Sequence, residues 1–435
     1  MPYKKLDAVE MRQAKQDAIL RSTEACGNWQ KCHPEETFTP MGIGLVLSTS
    51  GEAVNVPILE EFKQKAPFVH GYIPQTKVAN YLNGLVADYG LANEYVARVG
   101  TLGATGALAA AVAFLNQGST IDSFSGYGLA GQLVVVRPAD SWDNLDGLFA
   151  GQGLPIKTFR MFNRKGEIDA GDMERVLRMT RANGKTPLLY IQSDTGNMTG
   201  YRLTKEVRSE IASHCADTGA IVLAECVYRG TSAGKKWEIA RSYMEDDIAL
   251  VLECVHQGIP VFWTHSESKR GNFPGRVGAL LHVPRQSMMV PSVQSQLNKL
   301  ARVSGFWFLP ETFVPYDEIY RVGAVEHLHK DVCQTTIARI VDSSEENLTF
   351  IPRGQLHDYW ERLRGLTRII PVKEGAAERL LHDYGIGTIM IDACETDSGP
   401  AIRVNTTGNL MCKGKKHMKK LWNAISTEYR PFVVI

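Results

Sequence analysis

Four short apolar runs, Leu133 to Val136, Leu188 to Ile191, Ala220 to Ala224 and Ile259 to Trp263, alternate with stretches whose apolar residues recur at helical spacing. Met173, Val176 and Leu177 mark the first such stretch. Val207, Ile211 and Cys215 mark the second, and Met244, Ile248, Val251, Leu252 and Val255 the third. Runs that are apolar throughout leave no side for solvent, so they predict strands covered on both faces, with the intervening helices as the covers. The consequence is an α/β fold around a mostly parallel central sheet. In such sheets ligands bind beyond the carboxyl ends of the strands, which makes the residues just after each run the candidates for chemistry.

A chain of 435 residues is long for one compact domain, and a large domain with a smaller one is the expectation. From about residue 325 the pattern changes. A long helical segment is followed by a helical stretch at 373 to 384, a β-type run from Gly387 to Ile391, and G-P-A-I-R-V-N at 399 to 405. Forty-eight basic and 47 acidic side chains leave a net charge of +1, so no global field points to nucleic acid or an anionic membrane. A small-molecule partner fits this balance better. The eight cysteines form no C-x-x-C pair and no apolar signal segment is seen, which predicts reduced thiols and a cytoplasmic protein. Cys26, Cys32 and His33 have no second ligand pair at useful spacing, so no metal site is expected. The basic tail from Cys412 to Trp422 reads as a solvated helix face, and His327 and His329 as surface or packing residues.

The run ending at Trp263 leads into T-H-S-E-S-K-R-G-N-F-P-G-R-V-G, which presents Lys269 at a strand end with Ser266 and Ser268 before it and Arg276 after it. That set suits a phosphate-bearing aldehyde cofactor. The amine can form a Schiff base, while a hydroxyl and a guanidinium hold the phosphate. Taken alone, the stretch fits an exposed loop lysine equally well. Upstream, T-L-G-A-T-G-A (101 to 107) is a small-residue turn feeding an alanine-rich helix. Its backbone N–H groups at Gly103, Ala104, Thr105 and Gly106 can form an anion site aided by the helix dipole. Close packing of a helix on a sheet favours the same residues.

The lysine stretch resembles the lysine motif of pyridoxal-phosphate enzymes of fold type I, specifically class I aminotransferases of the aspartate and aromatic amino acid kind. Further motifs appear in that family's order over nearly the whole chain. N-M-T-G at 197 to 200 is similar to the family's N-P-T-G, and E-C-V-Y at 225 to 228 to its D-x-A-Y. The resemblance implies that Trp142 stacks on the cofactor ring, that Asn197 and Tyr228 bond its phenolic oxygen, and that Glu225 pairs with its pyridine nitrogen. It also implies that Arg403 grips the substrate's α-carboxylate and that Ile43 and Gly44 lie beside that carboxylate. Trp142 and Asn197 would border the substrate as well. In a homodimer, Tyr72 would reach the phosphate of the neighbouring cofactor and Arg302 the side-chain carboxylate of a neighbouring substrate. The chain divides accordingly into an N-terminal arm with part of the small domain (1–60), a large cofactor-binding domain (61–325) and a small C-terminal domain (326–435).

Three departures stand out. Glu225 replaces an aspartate, Leu145 stands where a histidine usually supports that aspartate, and G-F-W-F-L-P-E-T-F follows Arg302 in place of a Ser-Asn-Pro-Pro type of segment. Arg229 also adds a charge beside Tyr228. The reading that follows is a pyridoxal-phosphate aminotransferase acting on an acidic or aromatic L-amino acid and a 2-oxo acid in amino acid metabolism. The departures keep open a specialised enzyme on the same scaffold that catalyses elimination, replacement or C–C bond formation in secondary metabolism. A non-catalytic binding protein that kept the scaffold fits the near-complete site set less well.

Overall fold

The computed structural model describes residues 18–36, 38–41, 46–50, 52–65, 78–117, 129, 131–139, 141, 144–162, 168–193, 202–229, 245–272, 277–303, 310–362, 366–391, 400–408 and 414–431. Among these the strands run in chain order as β1 Thr39–Pro40, β2 Ala97–Thr101, β3 Leu133–Pro138, β4 Ile156–Phe159, β5 Thr186–Gln192, β6 Ile221–Cys226, β7 Val261–Ser266, β8 Gly278–Val283, β9 Thr367–Pro371, β10 Ile386–Gly387, β11 Ile389–Ile391 and β12 Ala401–Asn405.

The main sheet has the order β2-β8-β7-β6-β5-β3-β4. Five strands, β4, β3, β5, β6 and β7, pair parallel. Only β8 is reversed, antiparallel to both β7 and β2. The reversal follows from connection length: β7 and β8 are joined by the short lysine turn, whereas parallel neighbours need a long crossover. The mostly parallel sheet expected from the apolar runs is therefore present.

Residue parity along each central strand decides which side chain enters which core. Val222 and Ala224 of β6 join Leu189 and Ile191 of β5 in one apolar core, together with Val176, Ile211 and Val251 from covering helices. Ile221 and Leu223 join Leu188 and Tyr190 in the core on the other face, which is completed by Leu108 and Leu297. Both faces are thus sealed, and β3, β6 and β7 are buried along their whole length.

A third core gathers Met41, Trp360, Ile370, Ile402, Val404 and Trp422 around the three-stranded sheet β11-β12-β9. Trp360 and Trp422 meet edge to face with ring centroids 4.8 Å apart. The long helical segment expected after residue 325 is present, from Val325–Val332 through a π-helical turn at Cys333–Ile337 into Ala338–Phe350. Nearer the N-terminus, a helix spans Ala18–Cys32, so Cys26 and Cys32 stand on the helix itself. Among the described residues no helix is long and apolar enough to cross a membrane.

Candidate active site

The parity that builds the second core also builds the site. Residues 221, 223 and 225 of β6 lie on one face, and so do 188, 190 and 192 of β5. The parallel ladder sets Gln192 opposite Glu225. At this carboxyl edge the apolar series ends in polar side chains. Tyr190 Oη donates a short hydrogen bond to Glu225 Oε2, and Gln192 Nε2 donates to the same oxygen at 2.8 Å. Glu225 is buried, and burial raises its carboxyl pKa while Tyr190, Gln192 and Lys269 pull it down. Tyr228, also buried, follows in the turn after β6.

Lys269 rises from the next strand end. Ser266 closes β7 with extended backbone and caps the short helix Glu267–Arg270, accepting from the Ser268 N–H at 3.1 Å. Its hydroxyl also donates to Ser268 Oγ at 2.9 Å, so the two serines form one unit. Lys269 is half-buried, with Nζ 5.8 Å from the centroid of the Tyr228 ring. Loss of hydration and the charge of Arg403 lower its pKa to about 8, against the opposing pull of Glu225. Arg403 lies in β12, where Ile402 and Val404 occupy the third core, so the arginine takes the opposite face. Its guanidinium is buried too.

Beneath the lysine is a layer of buried charge. Burial lowers the pKa of His265, so the neutral ring accepts from Tyr89 Oη at 3.0 Å and donates from Nε2 to Glu267 Oε1 at 2.9 Å. Arg270 Nε donates to Glu267 Oε2 at 3.0 Å. Although burial opposes it, Arg270 and His265 hold the Glu267 carboxyl well below the usual range. Beyond Arg270, His329 lies 3.4 Å from both the guanidinium and Asp88, so it belongs to this network and is not a surface residue. Arg229 likewise turns inward, with its guanidinium 4.4 Å above the Tyr89 ring.

Asn272, in the left-handed region at φ 50°, holds the far side of the turn. Its amide donates to Val46 O at 3.0 Å and to Val54 O at 2.8 Å. Across the sheet, the helix Gly103–Gln117 starts at the carboxyl end of β2. Gly103 takes φ 62°, and a β-carbon on Gly278 would come within 2.5 Å of the Gly103 carbonyl carbon. That close approach brings the helix start, with buried Gly103 and Ala104 and exposed Thr105, against the beginning of β8. The N–H groups of Gly103, Ala104 and Thr105 precede the first intrahelical bond, so this start can receive an anion, whereas the Gly106 N–H expected to join them instead donates to Leu102 O at 3.2 Å.

The structure thus brings Glu225, Tyr228, Lys269, Arg403, the two serines and the 103–105 turn to the carboxyl side of the sheet or its border. Gly44, Tyr72, Trp142, Asn197 and Arg276 lie outside the described residues, as does the side chain of Arg302 at the end of the helix Val290–Val303. Sequence reading missed Tyr190, Gln192 and Asn272. The first two were hidden inside an apparent core strand, although same-face spacing two residues apart, next to the strand carrying Glu225, was the available signal.

The family pattern described as aminotransferase class I and II matches residues 61–316. The chain belongs to that family. Among curated relatives, this family member is 26% identical over 274 residues to the mitochondrial aspartate aminotransferase of Dictyostelium discoideum, covering 60% of this chain and 59% of the relative. It is 28% identical over 216 residues to the aromatic-amino-acid aminotransferase of Paracoccus denitrificans, covering 48% of this chain and 52% of that one. The matched regions therefore span between half and two thirds of those relatives' lengths. Among solved structures, the aromatic-amino-acid aminotransferase of Burkholderia pseudomallei, covalently bound to pyridoxal phosphate, superposes with a TM-score of 0.77 at 19% identity, covering 98% of this chain and 99% of that one. The cytoplasmic aspartate aminotransferase of Saccharomyces cerevisiae gives 0.75 at 18% identity, covering 96% and 97%. The shared fold is that of the type I aminotransferases.

Proposed function

We propose that this chain is a pyridoxal-phosphate-dependent aminotransferase that moves an amino group between an acidic or aromatic L-amino acid and a 2-oxo acid. One observation carries the reading. Lys269 Nζ stands at the carboxyl end of β7, 5.8 Å from the centroid of the Tyr228 ring and within electrostatic reach of the Glu225 carboxylate and the Arg403 guanidinium. This donor set fits pyridoxal phosphate. Lys269 would bond its aldehyde, Glu225 would face its ring nitrogen, and the start of the helix Gly103–Gln117, with Ser266, Ser268 and Arg276, would hold its phosphate. When bound, the cofactor supplies an electron sink for the charge that develops at the substrate's Cα.

The chain's own residues do the rest. Arg403 offers a planar fork for the α-carboxylate and so orients the substrate. Lys269 Nζ, uncharged in a useful fraction near neutral pH, takes the proton from Cα. Glu225 holds a negative charge where a cationic ring nitrogen needs one. Trp142, Asn197 and Tyr228 complete the ring contacts, with Gly44 beside the substrate.

We further assign residues 61–325 to a large cofactor-binding domain, 326–435 to a small domain, and 1–60 to an arm and part of that small domain. The separate core around Trp360 and Trp422, which includes Met41, supports a distinct small unit, while Leu59, Leu328, Val332 and Ile337 near the two assigned bounds pack in the core of the central sheet. The enzyme would work as a cytoplasmic homodimer in which Tyr72 and Arg302 complete the neighbouring site. The test is to incubate purified protein and pyridoxal phosphate with 2-oxoglutarate and L-aspartate, or L-phenylalanine, and with oxaloacetate and L-glutamate. A 2-oxo acid derived from at least one donor is expected. None from any donor would overturn the assignment.

A further inference from the structure

We infer that Tyr190 and Gln192 are the positioning pair that holds Glu225 as an oriented carboxylate toward the cofactor's ring nitrogen, supplying the support that the absent histidine would otherwise give. The inference rests on the proposed function and concerns residues that neither the family motifs nor the apolar pattern single out.

Three observations converge. First, both donors meet the same oxygen. Tyr190 Oη and Gln192 Nε2 bond Glu225 Oε2, while Oε1 accepts from none of the described residues. One oxygen is saturated and the other is left for a partner outside the protein, which is the arrangement a cationic ring N–H requires. Second, the place where a histidine would act is apolar. Leu145 is buried in the same core as Phe149 and Tyr190. Third, the pair is rigid. Tyr190 is fully buried with its ring edge-on to Phe149 at 6.0 Å, and Gln192 is locked opposite Glu225 by the strand ladder.

The electrostatics follow. A buried carboxylate without donors would take up a proton and become neutral. Tyr190 and Gln192 stabilise the charged form by hydrogen bonding and bring no positive charge of their own. A protonated histidine at the same oxygen would repel the ring cation that the carboxylate has to attract. Removing a donor therefore favours transfer of the shared proton from the ring nitrogen to Glu225, leaving a neutral ring and a neutral acid.

The test uses the loaded wild-type enzyme, Tyr190→Phe, Gln192→Leu, and Glu225→Gln as the reference for a nitrogen without an anionic partner. Each is charged with pyridoxal phosphate isotope-labelled at the ring nitrogen, whose protonation is read by nitrogen NMR, and the cofactor's dissociation constant is measured by absorbance titration. In the wild type the nitrogen should be protonated at neutral pH. In either single variant its signal should move toward that of Glu225→Gln, and cofactor binding should weaken by about tenfold or more, as expected for loss of a hydrogen bond to a charged group. Nitrogen signals in both variants that match the wild type would overturn the inference and leave the proposed function intact. A wild type that never binds the cofactor through a lysine would overturn the function itself. If Tyr190→Phe does not fold, Gln192→Leu carries the same comparison.

Discussion

The charge of Arg403, on a strand of the third core's sheet, lowers the proton affinity of Lys269 at the end of β7 in the central sheet. Together with burial, that charge raises the fraction of the amine in its nucleophilic form. On the proposed function, substrate orientation and amine activation would be coupled through that one charge.

The first consequence is a pH profile for cofactor capture. Only the uncharged amine attacks an aldehyde, and the pKa of Lys269 is lowered to about 8. The rate at which apoprotein gains visible absorbance on mixing with pyridoxal phosphate should therefore rise with pH and level off above about 8. A rate still climbing steeply well above that pH, as for an ordinary lysine, would show that the amine is not perturbed.

Arg403→Met removes the charge that depresses Lys269. The midpoint of the capture profile should move to higher pH, because burial alone then opposes protonation. The KM for amino acid substrates should rise by about tenfold or more, as expected for loss of a charge-assisted bidentate pair. Capture kinetics with an unchanged midpoint would separate Arg403 from the lysine.

Gly278→Ala tests the close approach at the cradle. The added β-carbon would stand 2.5 Å from backbone carbon of Gly103, so the helix start has to shift. On the proposed function, phosphate affinity would depend on those first-turn N–H groups. The cofactor's Kd should weaken by about tenfold, the order associated with losing a hydrogen bond to a charged group, while the fold, followed by far-ultraviolet dichroism, is retained. An unchanged Kd would mean that the cradle lies elsewhere.

Arg270→Met strips Glu267 of its main partner in a buried setting and should cost about 3–5 kcal/mol in chemical denaturation. The double variant with Glu267→Gln should cost less than the sum, since the uncompensated charge is gone. The pH dependence has a definite sign. Glu267 is held below the carboxylate range when folded, so the unfolded chain binds its proton first as pH falls. The contribution is present above the unfolded pKa of about 4.3 and is lost progressively below it. An Arg270→Met protein as stable as wild type would contradict the network.

The central sheet was legible because β3, β5, β6 and β7 are buried on both faces, and an apolar run needs no neighbour to be read. The strand β2 was not, since A-R-V-G-T carries an arginine and a glycine and, among the described residues, pairs with β8 alone. The strand β8 itself contains His282, buried and stacked on Phe262 at 3.6 Å, a packing role that a lone histidine does not announce. Lys269, Glu225 and Arg403 were visible through motif order. Tyr190 looked like core because it is core for most of its ring, and only the register across β5 and β6 turns its hydroxyl into a partner of Glu225.

The most direct measurement is the visible absorbance of wild-type protein and Lys269→Ala, each mixed with pyridoxal phosphate, cleared of free cofactor and then given L-aspartate, L-glutamate or L-phenylalanine. The wild type should retain a lysine-bound absorbance band that one of the donors converts to that of the aminated cofactor. Lys269→Ala should hold no such band, with turnover reduced by at least about a hundredfold. A band and turnover in Lys269→Ala equal to those of the wild type would contradict the assignment of Lys269 as the cofactor's lysine.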